Sequence, residues 1–195
     1  MAPRARAEMI EETRSKLLAV AREAFGTQGY ASTSMDDFTA AAGLTRGALY
    51  HHFGDKKGLL AAVVAQIDAE MDARLQAVLE TAPDAWTGFQ EYCRAYLRMA
   101  QEPEIQRIMF QDARSVLGIA SQETQQCCVN IMARLLGDLM REGVVAQADP
   151  EALACLLNGS LVDAAFWIAQ AKQPGKRLKQ SLGGLELLLR GLLVA

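Results

Sequence analysis

T-S-M-D-D-F-T-A-A-A-G-L-T-R-G-A-L-Y-H-H-F-G-D-K-K, residues 33–57, decides the reading of the whole chain. Ser34 is a good helix N-cap, and Asp37 three residues on makes an acidic variant of the capping box. Met35, Phe38 and Ala41 mark the buried face of a short helix. Gly43 then supplies the turn, because glycine tolerates the left-handed backbone that ends a helix sharply. Thr45 caps a second short helix. Leu49 and Phe53, four apart, point to the core, which leaves Arg46, Gly47, Tyr50 and His51 facing outward. Asp55 starts a third, long helix. This layout is that of a helix-turn-helix whose second helix enters a DNA major groove.

The run Phe38 to Lys56, F-T-A-A-A-G-L-T-R-G-A-L-Y-H-H-F-G-D-K, resembles the DNA-binding domain of the TetR (tetracycline-repressor-like) bacterial regulators. The likeness covers roughly residues 10–60. A looser likeness lies around residues 106–118, and the remainder shares only an all-helical pattern. The resemblance implies a dimer that reads DNA, with a lysine at the place of Lys56 meeting the backbone. In the recognition helix, Arg46 is expected to reach base edges, with guanine O6 and N7 as its partners. Thr45, Tyr50 and His51 are expected to meet phosphates or a thymine methyl, with Gly47 on the same outward face. Lys56 sits in the first turn of the long helix, where free N–H groups already favour an anion. Ser34 adds one phosphate contact beside its capping role. The arginines of the first residues, Arg4 and Arg6, belong to a polar tail.

Charge is compatible with this but does not drive it. The 195 residues carry a net charge of −3. Residues 1–60 hold eight Lys/Arg and seven Asp/Glu, and the rest hold twelve and sixteen, so the mild asymmetry favours the N-terminal part. DNA binding must come from where the cations sit. The four cysteines, Cys93, Cys127, Cys128 and Cys155, match no zinc spacing, and His51 and His52 are adjacent, so no metal and no cofactor is expected. In a cytoplasmic chain these cysteines are expected as thiols, and the pair Cys127-Cys128 as small hydrophobes rather than a redox switch. No nucleophile elbow, phosphate-binding glycine loop or metal cluster is present, which argues against an enzyme. Asp112 and Arg114 read as an ion pair or as surface groups. No run reaches the ~20 apolar residues of a membrane span, and no signal-peptide pattern opens the chain. The cytoplasm is the expected location.

The periodicity predicts an all-α protein of about nine helices: a DNA-binding domain over residues 1–55 and a ligand-binding and dimerisation domain over 56–195. The first helix, over about 9–27, carries the stripe Ile10, Leu17, Leu18, Ala21 and Phe25 and stops at Gly29. The fourth runs from Asp55 to about residue 81, with Leu59, Leu60, Val63, Ile67, Met71, Leu75 and Val78 on one face, and is the natural lever between domains. Asp84 opens a fifth helix with Trp86, Phe89, Tyr92, Cys93 and Tyr96. Pro103 starts a short sixth with Met109 and Phe110. A seventh, over about 121–142, turns Cys128, Ile131, Leu135 and Leu139 inward. The eighth, after Asp149-Pro150, is apolar on nearly every side and carries Asn158, Asp163, Phe166 and Trp167. The ninth repeats Leu178, Leu182, Leu185, Leu189 and Leu192 at 4-3 spacing, a heptad seam.

The aromatic and methionine wall facing Ile131 and Phe166, with Asn158 as a polar tip, forms the expected pocket for a small apolar or aromatic effector. Asp163, Trp167 and the leucine seam are the expected homodimer face. Together these describe a ligand-released repressor on a palindromic operator. The alternative is a regulator with no small-molecule effector, controlled by a partner protein or by cysteine oxidation.

Overall fold

The computed structural model describes residues 3–118 and 122–194. Among them every regular element but one residue pair is helical, and nine helices follow in order. They are α1 Pro3–Gln28, α2 Met35–Ala42, α3 Arg46–Phe53, α4 Lys56–Thr81 and α5 Ala85–Met99, then α6 over residues 103–116, α7 Gln122–Arg141, α8 Pro150–Ala169 and α9 Pro174–Arg190. The middle of α6, Gln106–Ala113, is wound as a π-helix. Ser121, the expected start of the seventh helix, lies outside the described residues. So do the side chains of Arg4 and Arg6, although the backbone there is already helical rather than a tail.

By compactness the chain divides otherwise than at residue 55. One unit holds residues 1–69 and 103–118, and the other holds 70–102 and 119–195. In the first unit, α2 and α3 pack on α1. Leu17, Ala21 and Phe25 of α1, Phe38 of α2 and Leu49 of α3 are wholly buried. The Phe25 and Phe38 rings meet edge to face at 5.2 Å, the arrangement that ring quadrupoles favour. Ile10 is not part of this stripe, being 41% exposed. The reason is length: α1 has 26 residues, about 39 Å, whereas α2 and α3 have eight each, about 12 Å, and cannot cover its first turns. Nor is Ala41 buried; Thr39 takes its place beside Phe38. A strict spacing of three drifts off a 3.6-residue helical face, and 35, 38, 39 and 42 keep to it.

α4 buries its expected face, from Leu59 and Leu60 through Val63, Ile67 and Met71 to Leu75. Its start is fixed by Asp55, whose carboxylate accepts the Gly58 N–H at 2.6 Å.

In the second unit α5, α7, α8 and α9 pack together. Asp84 and Asp149 cap α5 and α8, accepting the N–H of Thr87 at 2.8 Å and of Ala152 at 2.7 Å. The buried side of α7 is Val129, Met132, Leu136, Leu139 and Met140. It is rotated by about one residue from the face expected, on which Cys128, Ile131 and Leu135 are only half-buried. Leu185 and Leu189 of α9 are buried within the chain's own core. α9 ends at Arg190, so Leu192 lies beyond the expected seam. There its carbonyl accepts the Ala146 N–H at 2.8 Å, beside an antiparallel bridge between Val145 and Leu193. α8 is also more apolar than a search for unbroken apolar runs suggests: an 18-residue window within it has a mean hydropathy of 1.6, long and apolar enough to cross a bilayer, a property that core helices of soluble proteins share. The interrupting Asn158 and Asp163 hide this when the run is read for uninterrupted apolarity.

Candidate nucleic-acid interface

The two short helices are built as their residue types dictate. The Ser34 hydroxyl accepts the Asp37 N–H at 3.2 Å, and the Asp37 carboxylate accepts the Ser34 N–H at 2.9 Å, so two orphan donors of α2 are satisfied reciprocally. Gly43 has φ +64° and ψ 33°, a left-handed conformation that costs a side-chain-bearing residue about 1 kcal/mol. The Thr45 hydroxyl accepts the Ala48 N–H at 3.3 Å. Leu49 and Phe53 are buried, and that fixes the rotation of α3 about its axis. Thr45, Arg46, Gly47, Tyr50 and His51 are all exposed as a consequence, Tyr50 at 51%. This face is small and polar at its N-terminal end, with nothing bulky to keep the backbone from a groove.

Arg46 is not idle in the free chain. Its guanidinium pairs with the Asp36 carboxylate of α2 across the turn, with both side chains more than half exposed. Exposed pairs are worth at most about 1 kcal/mol, so exchanging Asp36 for a base edge costs little. Sequence reading missed this pair, because residues ten apart on different helices have no spacing rule to join them.

Lys56 is held more firmly than a solvated lysine. Its ammonium donates to the Thr33 carbonyl and lies 4.2 Å from the centre of the Tyr30 ring. Burial lowers its pKa, against the carboxylates of Asp112 and Asp37, which raise it. The Tyr30–Ser32 turn that carries these partners is a single 3-10 turn after Gly29, whose φ is +82°. Asp112 pairs with Arg107, at 3.5 Å, and accepts the Tyr30 N–H at 2.8 Å. None of these contacts has a local sequence signature, since α6 is separated from Tyr30 by about 80 residues.

The residues expected to form an effector pocket are partly brought together. On α5, Trp86 stacks on Phe89 at 6.1 Å, Phe89 and Cys93 are wholly buried, and Tyr92 is nearly so, with Tyr96 half-buried. Burial raises the Tyr92 hydroxyl well above the usual tyrosine range and pushes the Cys93 thiol up to about 12. Ile131, Asn158 and Phe166 of the same unit are half-buried. Met109 and Phe110 instead fold into the first unit, on the π-helical stretch of α6. Concavities of about 520 and 590 Å³ open elsewhere. The first is a cleft around Trp167, Lys172 and Arg177, and the second a groove along Arg22, Gln66 and Glu104. Among the described residues searched, no group of three or more His, Cys, Asp or Glu side chains is placed to hold a metal ion.

Comparison with known proteins agrees with this geometry. Residues 17–63 match the family model of the bacterial regulatory proteins of the tetR family, and residues 86–192 match a tetracyclin repressor-like C-terminal domain. A solved TetR-family transcriptional regulator from Pectobacterium atrosepticum is 65% identical, with a TM-score of 0.92 over 96% of this chain and 97% of that one. The TetC protein of transposon Tn10 from Escherichia coli is 25% identical over 190 residues, 96% of this chain and 94% of TetC. The transcriptional regulator AcrR of Shigella flexneri is 47% identical over 53 residues, a quarter of its length. With an all-helical fold and an exposed recognition helix, the chain belongs to the TetR family of transcriptional regulators, with a helix-turn-helix DNA-binding domain.

Proposed function

We propose that the chain is a homodimeric repressor that binds a palindromic operator and is released by a small apolar or aromatic effector. The observation that carries the DNA half is the rotation of α3: burial of Leu49 and Phe53 turns Thr45, Arg46, Gly47, Tyr50 and His51 outward together. Lys56 and Ser34 flank this face and supply phosphate contacts, which position the protein while α3 reads bases. It works by binding and performs no chemistry of its own. As a DNA-binding regulator it acts in the cytoplasm.

Support for the dimer is the apolar surface left over on α8 and α9. Leu156 is 72% exposed, Leu187 69%, Leu188 55% and Trp167 47%, and Val162 and Asp163 lie on the same exposed side of α8. Mid-helix Gly159, Gly183 and Gly184 have open space where a Cβ would stand, which suits close approach of another helix. A self-complementary patch of this kind fits a two-fold dimer, and two copies place two recognition helices one DNA turn, about 34–36 Å, apart. The face differs from the expected leucine seam, since Leu185 and Leu189 are already used inside the protomer.

The buried aromatic wall of α5 supports an apolar effector, which acts by binding the DNA-released state better by roughly 1–3 kcal/mol. Control by thiol oxidation would act through the exposed Cys127 or Cys155 and not through Cys93, whose thiol is buried and pushed up to about 12,. The test is a duplex enriched by the protein from a random-sequence pool. A palindrome bound by two protomers, and released by at least one apolar compound that also raises the melting temperature, is expected. A non-repetitive site bound by a monomer, or a broad apolar library without a thermal shift, would count against the reading.

A further inference from the structure

α6 contains the Gln106–Ala113 π-helix, a rare winding, and two of its side chains reach back to the loop that leads into the helix-turn-helix. The Asp112 carboxylate, only 16% exposed, accepts the Tyr30 N–H at 2.8 Å and sits 3.5 Å from the Arg107 guanidinium. Arg107 in turn donates to the Gln28 carbonyl at 3.2 Å. Gly29 lies between them, at a positive φ that favours glycine,. Its φ is +82°, and a Cβ there would stand 1.8 Å from the Arg107 Nη2. Residues 28–30 are therefore gripped from both sides by one acid and one base of α6. A second tie, the Arg22–Glu104 pair at 2.7 Å, fixes the start of α6 on α1.

What the grip holds is the cradle of Lys56. The Tyr30 ring lies under the ammonium, the Tyr30 carbonyl accepts both the N–H and the hydroxyl of Thr33, at 3.4 and 3.0 Å, and the Thr33 carbonyl accepts a hydrogen bond from the Lys56 ammonium. Thr33 also leads directly into the Ser34 cap of α2. Without the Asp112 bond, the Tyr30 N–H loses its partner, and the single 3-10 turn keeps the two Thr33 bonds and the ring contacts of Tyr30.

We propose that Asp112 is a positioning residue for DNA binding: through Tyr30 it holds the 30–34 turn, and with it the Lys56 ammonium, where they meet operator phosphate. This rests on the reading of Lys56 as a phosphate contact. The Asp112 carboxylate is also close enough to Lys56 to act on it directly, raising its pKa against the effect of burial. Asp112 touches no DNA in this account, and its effect is exerted through Lys56.

The experiment is a titration of the full-length protein against a labelled duplex enriched from a random pool by the wild type, at several salt concentrations, with melting temperatures of every variant. Lys56→Ala, which removes one contact from each protomer of the dimer, is expected to weaken binding roughly 100-fold and to reduce the salt slope by about two. Asp112→Ala is expected to do much the same, and the double variant no more than Lys56→Ala alone. Asp112→Asn, whose amide oxygen still accepts the Tyr30 N–H, is expected to stay within about threefold of wild type. Should Asp112→Ala not fold, Tyr30→Leu keeps the N–H and loses the ring, and is expected to lower the slope as Lys56→Ala does. Losses that add in the double variant, or an unchanged salt slope in Asp112→Ala or Tyr30→Leu while Lys56→Ala lowers it, overturn the positioning role and leave the DNA reading intact. An unchanged slope in Lys56→Ala overturns both the proposal and the phosphate reading of Lys56.

Discussion

Leu187 offers a direct test of the dimer. It is 69% exposed in the single chain, on a helix that buries Leu185 and Leu189 on its inner side. Fully burying a leucine side chain stabilises by about 2 kcal/mol. Covering the exposed part of Leu187 against a second copy is then worth about 1.4 kcal/mol, and two-fold symmetry doubles it to about 3 kcal/mol per dimer. Leu187→Ala should raise the dimer dissociation constant roughly 100-fold. It should leave the folded protomer almost untouched, because the side chain is mostly in water there. Sedimentation velocity across a concentration series reads the constant, and circular dichroism checks the helices. The contrast is Leu189→Ala, which removes a wholly buried side chain and should cost about 2–5 kcal/mol of stability. A Leu187→Ala protein that dimerises with the wild-type constant would refute the assignment of this face.

Three further outcomes follow from the local geometry. Ser34→Ala removes the capping box of α2 and should cost about 1 kcal/mol, seen as a lower urea midpoint with an unchanged slope. Asp36→Ala frees Arg46 from its pair and should leave thermal stability within about 0.5 kcal/mol while increasing non-specific DNA affinity, measured with a scrambled duplex. Cys93, with its thiol pushed from 9.0 up to about 12 by burial, favours the protonated thiol in the fold. Its contribution is complete below pH ~9 and is lost as pH rises toward 12, by up to about 1.4 kcal/mol per unit. Cys93→Ala should flatten the fall of stability in that window of an alkaline titration.

The parts of this fold legible in the sequence are those set by local chemistry. Ser34, Thr45, Asp55, Asp84 and Asp149 cap helices because a short polar side chain reaches the free N–H groups of its own next turn, and Gly29, Gly43 and Gly143 end them because φ is positive there. The outward set of α3 follows from Leu49 and Phe53 alone. What stayed hidden depends on distant partners. Ile10 looks like core until the shortness of α2 and α3 is set against α1. Leu185 and Leu189 look like a seam between copies, but periodicity shows only that a face is buried and not by what. The α6 contacts with Tyr30 and Gln28 join residues about 80 apart, and Met109 and Phe110 went to the first unit for the same reason. Arg46 reads as outward-facing, yet nothing local in the sequence joins it to Asp36.

The central claim is that the exposed face of α3 reads DNA sequence, and Arg46 tests it most directly. In a titration of Arg46→Ala against the enriched duplex and a scrambled one, the enriched duplex should lose about 1–3 kcal/mol at each half-site, at least roughly 30-fold for the two of a dimer. The scrambled one should change far less, so that discrimination collapses. Wild-type affinity and wild-type discrimination in Arg46→Ala would contradict the account.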